Sequence, residues 1–249
     1  MSGHSKWHNI KIRKQAQDQK KGKLFGKLSR EIIVAAKEGG GDPDSNNRLR
    51  VAIEKARAAG MPQDNIKRAI QRGTGEVEGV TYESAVYEGY GPGGVAIMVQ
   101  VLTDNRNRVV GELRSIFGRH GGNLGEANCV AWLFDQKGIV IVQREGVSED
   151  ALLEAALEAG AEDMQADDSS YEIRTAPGDL DGVTRALEAK GIVHESAELT
   201  MVPQTRVSIE GKHAQQVLRL MDALEDQEDV QQVYANFDIP ESVMEAIAA

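Results

Sequence analysis

The chain contains a single cysteine and no long apolar run, and each of these shortages excludes a class of protein. Cys129 is its single cysteine, so an internal disulfide and a cysteine-rich metal site are excluded and a reducing compartment is expected. No apolar run reaches the roughly 20 residues of a membrane-spanning helix. No apolar segment follows the first basic residues, as it would in a secretory signal. The sequence therefore predicts a cytoplasmic protein without a membrane partner.

Residues with catalytic or metal-binding chemistry are equally sparse. Cys129 lies in the apolar stretch NCVAWLF, which favours a buried, unreactive thiol. His4 and His8 have the spacing of a metal-binding pair on a helix, but no further ligand lies nearby in the sequence. His120 and His194 have no nucleophile beside them. We therefore predict no catalytic residue, no metal site, no cofactor and no enzymatic activity.

Positive charge is concentrated at one end of an acidic chain. The formal net charge is −10, yet residues 1–30 hold nine Lys and Arg against one acid, Asp18. Residues 31–80 hold eight residues of each sign, whereas residues 81–249 hold 12 of the 29 basic residues and 30 of the 39 acidic ones. A basic arm on an acidic body is typical of proteins that bind polyanions. A solvated tail and a membrane-surface helix are the alternatives, and the second would need a wider apolar face.

The arm is therefore predicted to bind the phosphate backbone of nucleic acid. Trp7 lies among the cations, where it would either stack on a base or pack back against the neighbouring helices. The candidate nucleic-acid-binding residues comprise the arm and two arginines farther along the chain, namely Lys6, Trp7, Lys11, Arg13, Lys14, Lys20, Lys21, Lys23, Lys27, Arg30, Arg106 and Arg108.

The two distant arginines belong to the stretch TDNRNR, residues 103–108. Asp104 or Asn105 is predicted to cap a helix there, which places Arg106 and Arg108 in its first turn. Cations at that end oppose the helix dipole, so the pattern indicates a specific role for them. The alternatives are contact with an anion and a salt bridge, to Glu88 or Glu112.

The first 80 residues carry three amphipathic stripes at helical spacing. LFGKLSREIIVAA predicts a helix that GGG ends. A second helix is expected to begin at Asp44 or Ser45 as its N-cap, and a third to end at Gly73. Three helices with short connections predict a small bundle, and RGTGEVEG after it is interpreted as a linker.

After residue 80 the pattern changes to alternating strands and helices. VAIMVQVLT, a helix and VAWLFD (130–135) predict a β-α-β unit, and TRVSIEG, a helix and VQQVYANFDI predict another near the end of the chain. Between them, residues 138–203 have the β-α-β-β-α-β order of a ferredoxin-like fold. EGYGPGG is interpreted as a turn into the first strand, because a dinucleotide-binding loop would follow a strand and open a helix.

The predicted fold class is therefore multi-domain α and α+β, with an N-terminal three-helix bundle and two ferredoxin-like α+β domains, one inserted in the other. The predicted domains are residues 1–80, with the arm and bundle, 81–135 plus 205–249, and the inserted segment 136–204. Two tandem units, one incomplete, are the alternative. The two α+β domains carry net charges of −8 and −10, so we expect them to face away from phosphate, to dimerise or to meet a basic protein.

Four stretches together resemble the YebC/PmpR family over essentially the whole chain: GHSKW, GGGDPDSNNRLRVAIEKARAAGMP, EGYGPGGVAIMVQVLTDNRNRV and GGNLG. The resemblance implies a helical N-terminal domain followed by two α+β domains, no enzymatic activity and no required cofactor. It also implies a cytoplasmic protein in bacteria, where members are described as transcriptional regulators that bind DNA. The family includes a mitochondrial translational activator of cytochrome c oxidase, which points instead to RNA and the ribosome.

The predicted function is a non-enzymatic nucleic-acid-binding regulator of gene expression, a DNA-binding transcriptional regulator that uses its basic arm. The alternative is a factor associated with ribosomal RNA that eases translation of difficult stretches. Two further hypotheses are a small-ligand-sensing module, for which GGNLG resembles a suitable turn, and a protein adaptor that uses the acidic faces. No helix with base-reading side chains is recognisable in the sequence, which favours contacts to the nucleic-acid backbone. Duplex DNA and structured RNA both satisfy that pattern, and the oligomeric state stays open.

Overall fold

The structure, a computed structural model, describes residues 21–166, 170–240 and 243. Its α-helices are α1 Lys21–Gly39, α2 Asn47–Ala58, α3 Gln63–Thr74, α4 Arg106–Arg119, α5 Glu149–Glu158, α6 Leu180–Ala189 and α7 Gly211–Glu225. The strands are β1 Glu83–Tyr90, β2 Ala96–Thr103, β3 Asn123–Leu124, β4 Phe134–Gln143, β5 Asp163–Ala166, β6 Ser170–Thr175, β7 Ser196–Pro203, β8 Val207–Ser208, β9 Val230–Ala235 and β10 Phe237–Asp238. Among the described helices, none is long and apolar enough to cross a membrane.

Helices α1, α2 and α3 pack around one apolar core, as the three predicted stripes require. Its buried side chains include Leu28, Ile32, Ile33, Leu49, Ile53 and Ile66. The predicted N-cap of α2 was wrong, because Asn46 takes that position. Its side-chain oxygen accepts the N–H of Leu49 at 3.1 Å, and its amide donates to the carbonyls of Ala35 and Gly40, each at 2.8 Å. An aspartate carboxylate donates no hydrogen bond and a serine hydroxyl donates only one. Neither Asp44 nor Ser45 could therefore accept a backbone N–H of α2 and also donate to two carbonyls of α1 and the turn after it.

Helices α1 and α3 approach most closely at Gly73. A Cβ atom on this residue would lie 2.5 Å from the carbonyl oxygen of Ile33 and 2.6 Å from the Cβ of Ala36. The end of the third helix also differs from the prediction, because the helix does not end at Gly73. It continues to Thr74, and Gly75 adopts the left-handed conformation, with φ of 83°, that ends it.

We expect Gly73→Ala to destabilise the protein by about 1 to 3 kcal/mol, because the methyl group would force α1 and α3 apart. Gly111→Ala is the matched control, since Gly111 lies in helix α4 and a Cβ there would meet no atom within 4 Å. That change should be neutral or stabilising by up to about 1 kcal/mol. Urea unfolding of both variants measures the difference. Equal stability of the two variants would contradict the close packing described here.

The first α+β unit has a four-stranded antiparallel sheet in the order β3-β1-β2-β9. Helices α4 and α7 cover one face of it and bury Phe117, Leu113, Leu218 and Leu220 among the strand residues. The chain enters this sheet by a hairpin, because β1 pairs along its whole length with β2. Residues 83–90 were not predicted as a strand, and EGYGPGG was interpreted only as a turn. Its first three residues in fact complete β1, and Pro92–Gly94 make the hairpin connection.

Two predicted strands do not join this sheet. Residues Ala131–Leu133 form a 3-10 turn, and Phe134 begins β4 of the other sheet, so the strand predicted at 130–135 was wrong. TRVSIEG contributes only Val207–Ser208, which pairs in parallel with Phe237–Asp238 in a separate two-stranded sheet. Strand β1, which was not predicted, lies in this sheet beside β2 instead of the predicted strands.

The second α+β unit lies between β3 and β8 along the chain. Its elements run β4-α5-β5-β6-α6-β7, and its antiparallel sheet has the order β5-β6-β4-β7, which is the ferredoxin-like arrangement. Helices α5 and α6 bury Leu152 and Leu187 against Val140 and Ile173. The predicted fold class is confirmed, namely a helical N-terminal region followed by α+β structure with antiparallel sheets. The division of the chain at residues 80, 135 and 204 stays a prediction.

Buried Glu88 fixes the segment that connects the two α+β units. This carboxylate on β1 accepts the backbone N–H groups of Asn128, Val130 and Ala131 at 2.7–2.8 Å. Charge-assisted bonds of this kind compensate the loss of water around a buried carboxylate. Glu88 is therefore a structural anchor and does not pair with either arginine of TDNRNR.

Candidate nucleic-acid interface

The predicted interface divides into residues that the structure describes and residues outside them. Lys6, Trp7, Lys11, Arg13, Lys14 and Lys20 lie outside the described residues, as do His4 and His8. Lys21 is the first residue of α1. Lys23, Lys27, Arg30, Arg106 and Arg108 are described with their contacts, and the structure separates them into two groups.

Three of these cations join α1 to the first α+β unit. Lys23, Lys27 and Arg30 are four and three residues apart, so they share one side of the helix. Lys23 donates to the carbonyl of Asp226 at 3.5 Å, Lys27 to that of Glu225, and Arg30 to that of Glu228. These carbonyls end helix α7 and begin the loop after it. A helix C-terminus has unpaired carbonyls and partial negative charge, so three cations there form a favourable contact.

Arg30 adds two further contacts to this junction. Its guanidinium lies 3.8 Å from the carboxylate of Asp229 and 3.7 Å from that of Glu228. It also lies 5.6 Å above the ring of Tyr82, within cation–π distance. Only 17% of the Arg30 side chain is exposed. The arginine is therefore held by the protein and is poorly placed to meet an external phosphate.

Asp229 is the acceptor at which three parts of the chain meet. Its side chain is 1% exposed and lies 2.7 Å from the guanidinium of Arg108 at the start of α4. Thr103 at the end of β2 and Gln227 in the loop each donate to it at 3.4 Å. Together with Arg30 of α1, these contacts bring the helical bundle, the first sheet and helix α4 onto a single carboxylate.

The first turn of α4 has the geometry that TDNRNR predicts. Asn105 is the N-cap and accepts the N–H of Arg108 at 3.0 Å. Burial of Arg108 disfavours its charged form, but hydrogen bonds to Asp104 and Asp229 and the charge of Glu112 outweigh that effect and raise its pKa. Arg108 is thus a salt-bridge residue, with Glu112 as one of its partners at 3.5 Å.

Arg106 differs from its neighbour in exposure. Its guanidinium pairs with Glu83 at 2.8 Å, and both side chains are more than half exposed. An exposed ion pair contributes about 0 to 1 kcal/mol. Arg106 could therefore exchange Glu83 for a phosphate at small cost, whereas Arg108 could not leave Asp229 so readily.

The sequence reasoning missed a group of cations on α2 and α3. Residues 47–74 hold seven Lys and Arg against two acids, Glu54 and Asp64. The count of 31–80 is neutral only because it includes the acids of α1 and the loops. Six of the seven cations are exposed. Arg48 pairs with Glu38, and the other five are Arg50, Arg57, Lys67, Arg68 and Arg72. A window matched to the two helices would have found this excess.

Cys129 and His120 are further titratable groups that the structure describes. Cys129 is half-buried, and burial together with the negative charge of Glu88 raises its thiol pKa, so it is a weak nucleophile. Burial and the charges of Arg119 and Arg219 lower the pKa of His120. Within the described ranges, no three His, Cys, Asp or Glu side chains are grouped closely enough to hold a metal ion.

Comparison with known proteins gives matches over nearly the whole chain. Residues 5–76 match the family described as TACO1/YebC protein N-terminal domain, and residues 82–237 match TACO1/YebC second and third domain. A probable transcriptional regulatory protein of Dictyoglomus turgidum is 57% identical over 249 residues, the full length of both chains. One of Trichlorobacter lovleyi is 58% identical over 98% of this chain and 99% of its own.

A solved structure is similar as well. The crystal structure of a conserved hypothetical protein from Aquifex aeolicus superposes with a TM-score of 0.81 at 51% sequence identity. The match covers 91% of this chain and 94% of that one. The arrangement of helices and sheets described above is therefore shared with an experimentally determined structure.

Proposed function

Because this chain belongs to the TACO1/YebC family, we propose that it is a non-enzymatic regulator of gene expression that binds DNA through its basic arm. The separation of charge is the observation that carries the proposal. Nine cations and one acid occupy residues 1–30, while residues 81–249 hold 30 of the 39 acids. The relatives named probable transcriptional regulatory proteins support the regulatory part of the proposal.

The contacts of α1 refine which cations the proposal assigns to phosphate. Lys23, Lys27 and Arg30 bond the end of α7, and Arg108 bonds Asp229. We assign these four to holding the bundle and the first α+β unit together. Phosphate binding is assigned to the cations of residues 6–21, with Arg106 as a secondary contact. In this assignment the acidic α+β units, apart from Arg106, do not lie against the nucleic acid, since like charges repel.

The proposed binding is electrostatic, so its salt dependence tests it directly. Each phosphate neutralised on duplex DNA contributes about −0.9 to the slope of log affinity against log salt. With four to six contacts from the arm alone, we expect a slope of about −4 to −5 or steeper for a 20-base-pair duplex of arbitrary sequence, measured by fluorescence anisotropy. A slope near zero for the full-length protein would rule out the proposal.

The translation alternative differs in the polymer that is bound. Association with ribosomal RNA also needs a cationic arm, so salt dependence alone does not distinguish the two. Crosslinking in cells followed by sequencing of the DNA and the RNA that are attached separates them. Recovery of DNA fragments supports the proposal, whereas recovery of ribosomal RNA alone would replace it by the translation function.

Ligand sensing is a weaker candidate that rests on one observation. A cleft of about 620 Å³ in the second α+β unit lies between the β4–α5 and α6–β7 connections, and Glu145, Ser148 and His194 are among its lining residues. GGNLG does not contribute to it. Its Asn123 and Leu124 form β3 beside β1, and a Cβ on Gly122 would lie 2.5 Å from the carbonyl oxygen of Tyr90. Thermal-shift measurements with amino acids and nucleotides would reveal a ligand of this cleft.

A further inference from the structure

We infer that the exposed cations of α2 and α3 form a second contact surface for the phosphate backbone of duplex DNA. This surface consists of Arg50, Arg57, Lys67, Arg68 and Arg72 and is called the basic face below. The inference rests on the proposed DNA-binding function and extends it from the arm to the folded bundle.

The cations of α2 separate onto two flanks of the helix. Arg48 and Lys55 are seven residues apart and pair with Glu38 and Glu31 of α1, Lys55 at 3.5 Å. Arg50 and Arg57 repeat the seven-residue spacing two positions later, which is a rotation of about 200° around the helix. They therefore lie on the flank away from α1, beyond the reach of its acids.

The cations of α3 are also directed away from the core. Ile66 and Ala69 are buried against α1 and α2. Lys67 and Arg68 lie between them in the sequence, Arg72 follows Ala69 by three positions, and all three cations are exposed. Within the described part of the chain, no carboxylate forms a salt bridge with any cation of the basic face. Two exposed acids, Glu54 and Asp64, lie on the same helices and reduce its net charge to +3.

The cations of the basic face differ in their contacts from other cations of the protein, which are bonded to carbonyls or carboxylates. Lys23, Lys27 and Arg30 bind α7, and Arg108 binds Asp229. Exposed cations without nearby counter-charges repel one another, so binding of a polyanion that neutralises them is favoured. The rigid bundle presents them without the ordering cost that a flexible segment would have.

Duplex rather than single-stranded nucleic acid fits the composition of this surface. Residues 47–74 contain no Phe, Tyr, Trp or His. Proteins that bind single strands stack bases on aromatic side chains. In a duplex the bases are already stacked on one another, and most protein contacts go to phosphate and sugar, which Lys and Arg supply. The printed names of the relatives, which refer to transcription, favour DNA over an RNA duplex.

The test is a full-length variant with Arg57→Gln, Lys67→Gln and Arg68→Gln, titrated with duplex DNA at several salt concentrations. If each cation neutralises one phosphate, the slope of log affinity against log salt becomes about 2 to 3 units less steep. The affinity near 0.15 M salt falls roughly 10- to 100-fold. Arg185→Gln, Arg206→Gln and Lys212→Gln provide the matched control, since these exposed cations lie on the α+β units. The control should bind within about twofold of the unaltered protein and keep its slope.

The outcomes separate this inference from the function on which it rests. If the unaltered protein binds DNA with a steep slope and the triple variant behaves identically, the basic face is not a DNA contact and only this inference fails. A flat slope for the unaltered protein overturns both. If the triple variant loses affinity for an RNA duplex of the same sequence but binds DNA like the unaltered protein, the assignment of the basic face to DNA is overturned. The single variants Lys67→Gln and Arg68→Gln, each expected to change the slope by about 0.9, decide the matter if the triple variant unfolds.

Discussion

Replacement of Lys11, Arg13, Lys14 and Lys20 by glutamine should lower the affinity for duplex DNA by roughly 10²- to 10³-fold near 0.15 M salt. Each cation that neutralises a phosphate releases condensed counterions, and the four changes remove up to four such contacts. The slope of log affinity against log salt should become less steep by about 3 to 4 units. Anisotropy titrations of the full-length variant against the unaltered protein measure both quantities.

Glutamine keeps the polar character and most of the length of the side chains, so charge is the main variable. A control with Arg185, Arg206, Lys212 and Arg219 changed to glutamine has the same net charge but alters exposed residues of the α+β units. Its affinity should stay within a few-fold of the unaltered protein. Equal losses in the arm variant and the control would show that overall charge, rather than the arm, governs binding.

Asp229→Ala should destabilise the folded protein by about 3 kcal/mol. The carboxylate is 1% exposed and serves Arg30, Arg108, Thr103 and Gln227. Removal of the carboxylate leaves the positive charges of Arg30 and Arg108 without their buried counter-charge. The resulting loss of stability is larger than the net contribution of the intact ion pairs. Urea unfolding monitored by circular dichroism gives the change in free energy.

Glu228→Ala is the matched control, because this neighbouring carboxylate lies at nearly the same distance from Arg30 but is 71% exposed. An exposed pair of this kind should contribute less than about 1 kcal/mol. Asp229→Asn should fall between the two, since the amide oxygen still accepts hydrogen bonds while the charge is lost. If Asp229→Ala and Glu228→Ala were equally stable, Asp229 would not be the junction that its contacts indicate.

Local patterns were sufficient wherever neighbours in the sequence decide the structure. Helical spacing of apolar residues predicted α1 to α3, and TDNRNR predicted a capped helix with Arg108 in its first turn. Strand and helix order predicted the ferredoxin-like arrangement of the second α+β unit. The family resemblance, carried by stretches such as GHSKW, was confirmed by matches over residues 5–76 and 82–237.

Elements whose state depends on distant partners were the ones that failed. Strand β1 contains Glu88 and Gly89, which disfavour a strand by composition. The N–H groups of the 128–131 segment compensate the buried Glu88, and Gly89 avoids Phe117 and the carbonyl of Asn123. The apolar stretch VAWLFD has the composition of a strand, but it is the bend at which the chain leaves one sheet and enters the other.

The order of charged residues in the sequence by itself determined that this protein has a basic beginning and an acidic remainder, because the net charge of a segment is the sum over its residues whatever the fold. Only the tertiary structure decided which positive charges are engaged. Salt bridges depend on distances of a few ångströms between residues about 200 positions apart, such as Arg30 and Asp229. That spacing leaves no periodic signal in the sequence. Folding therefore joined Lys23, Lys27 and Arg30 to the carbonyls at the end of α7 and left Lys67 and Arg68 without such a contact among the described residues, although all five are simply basic residues in the sequence.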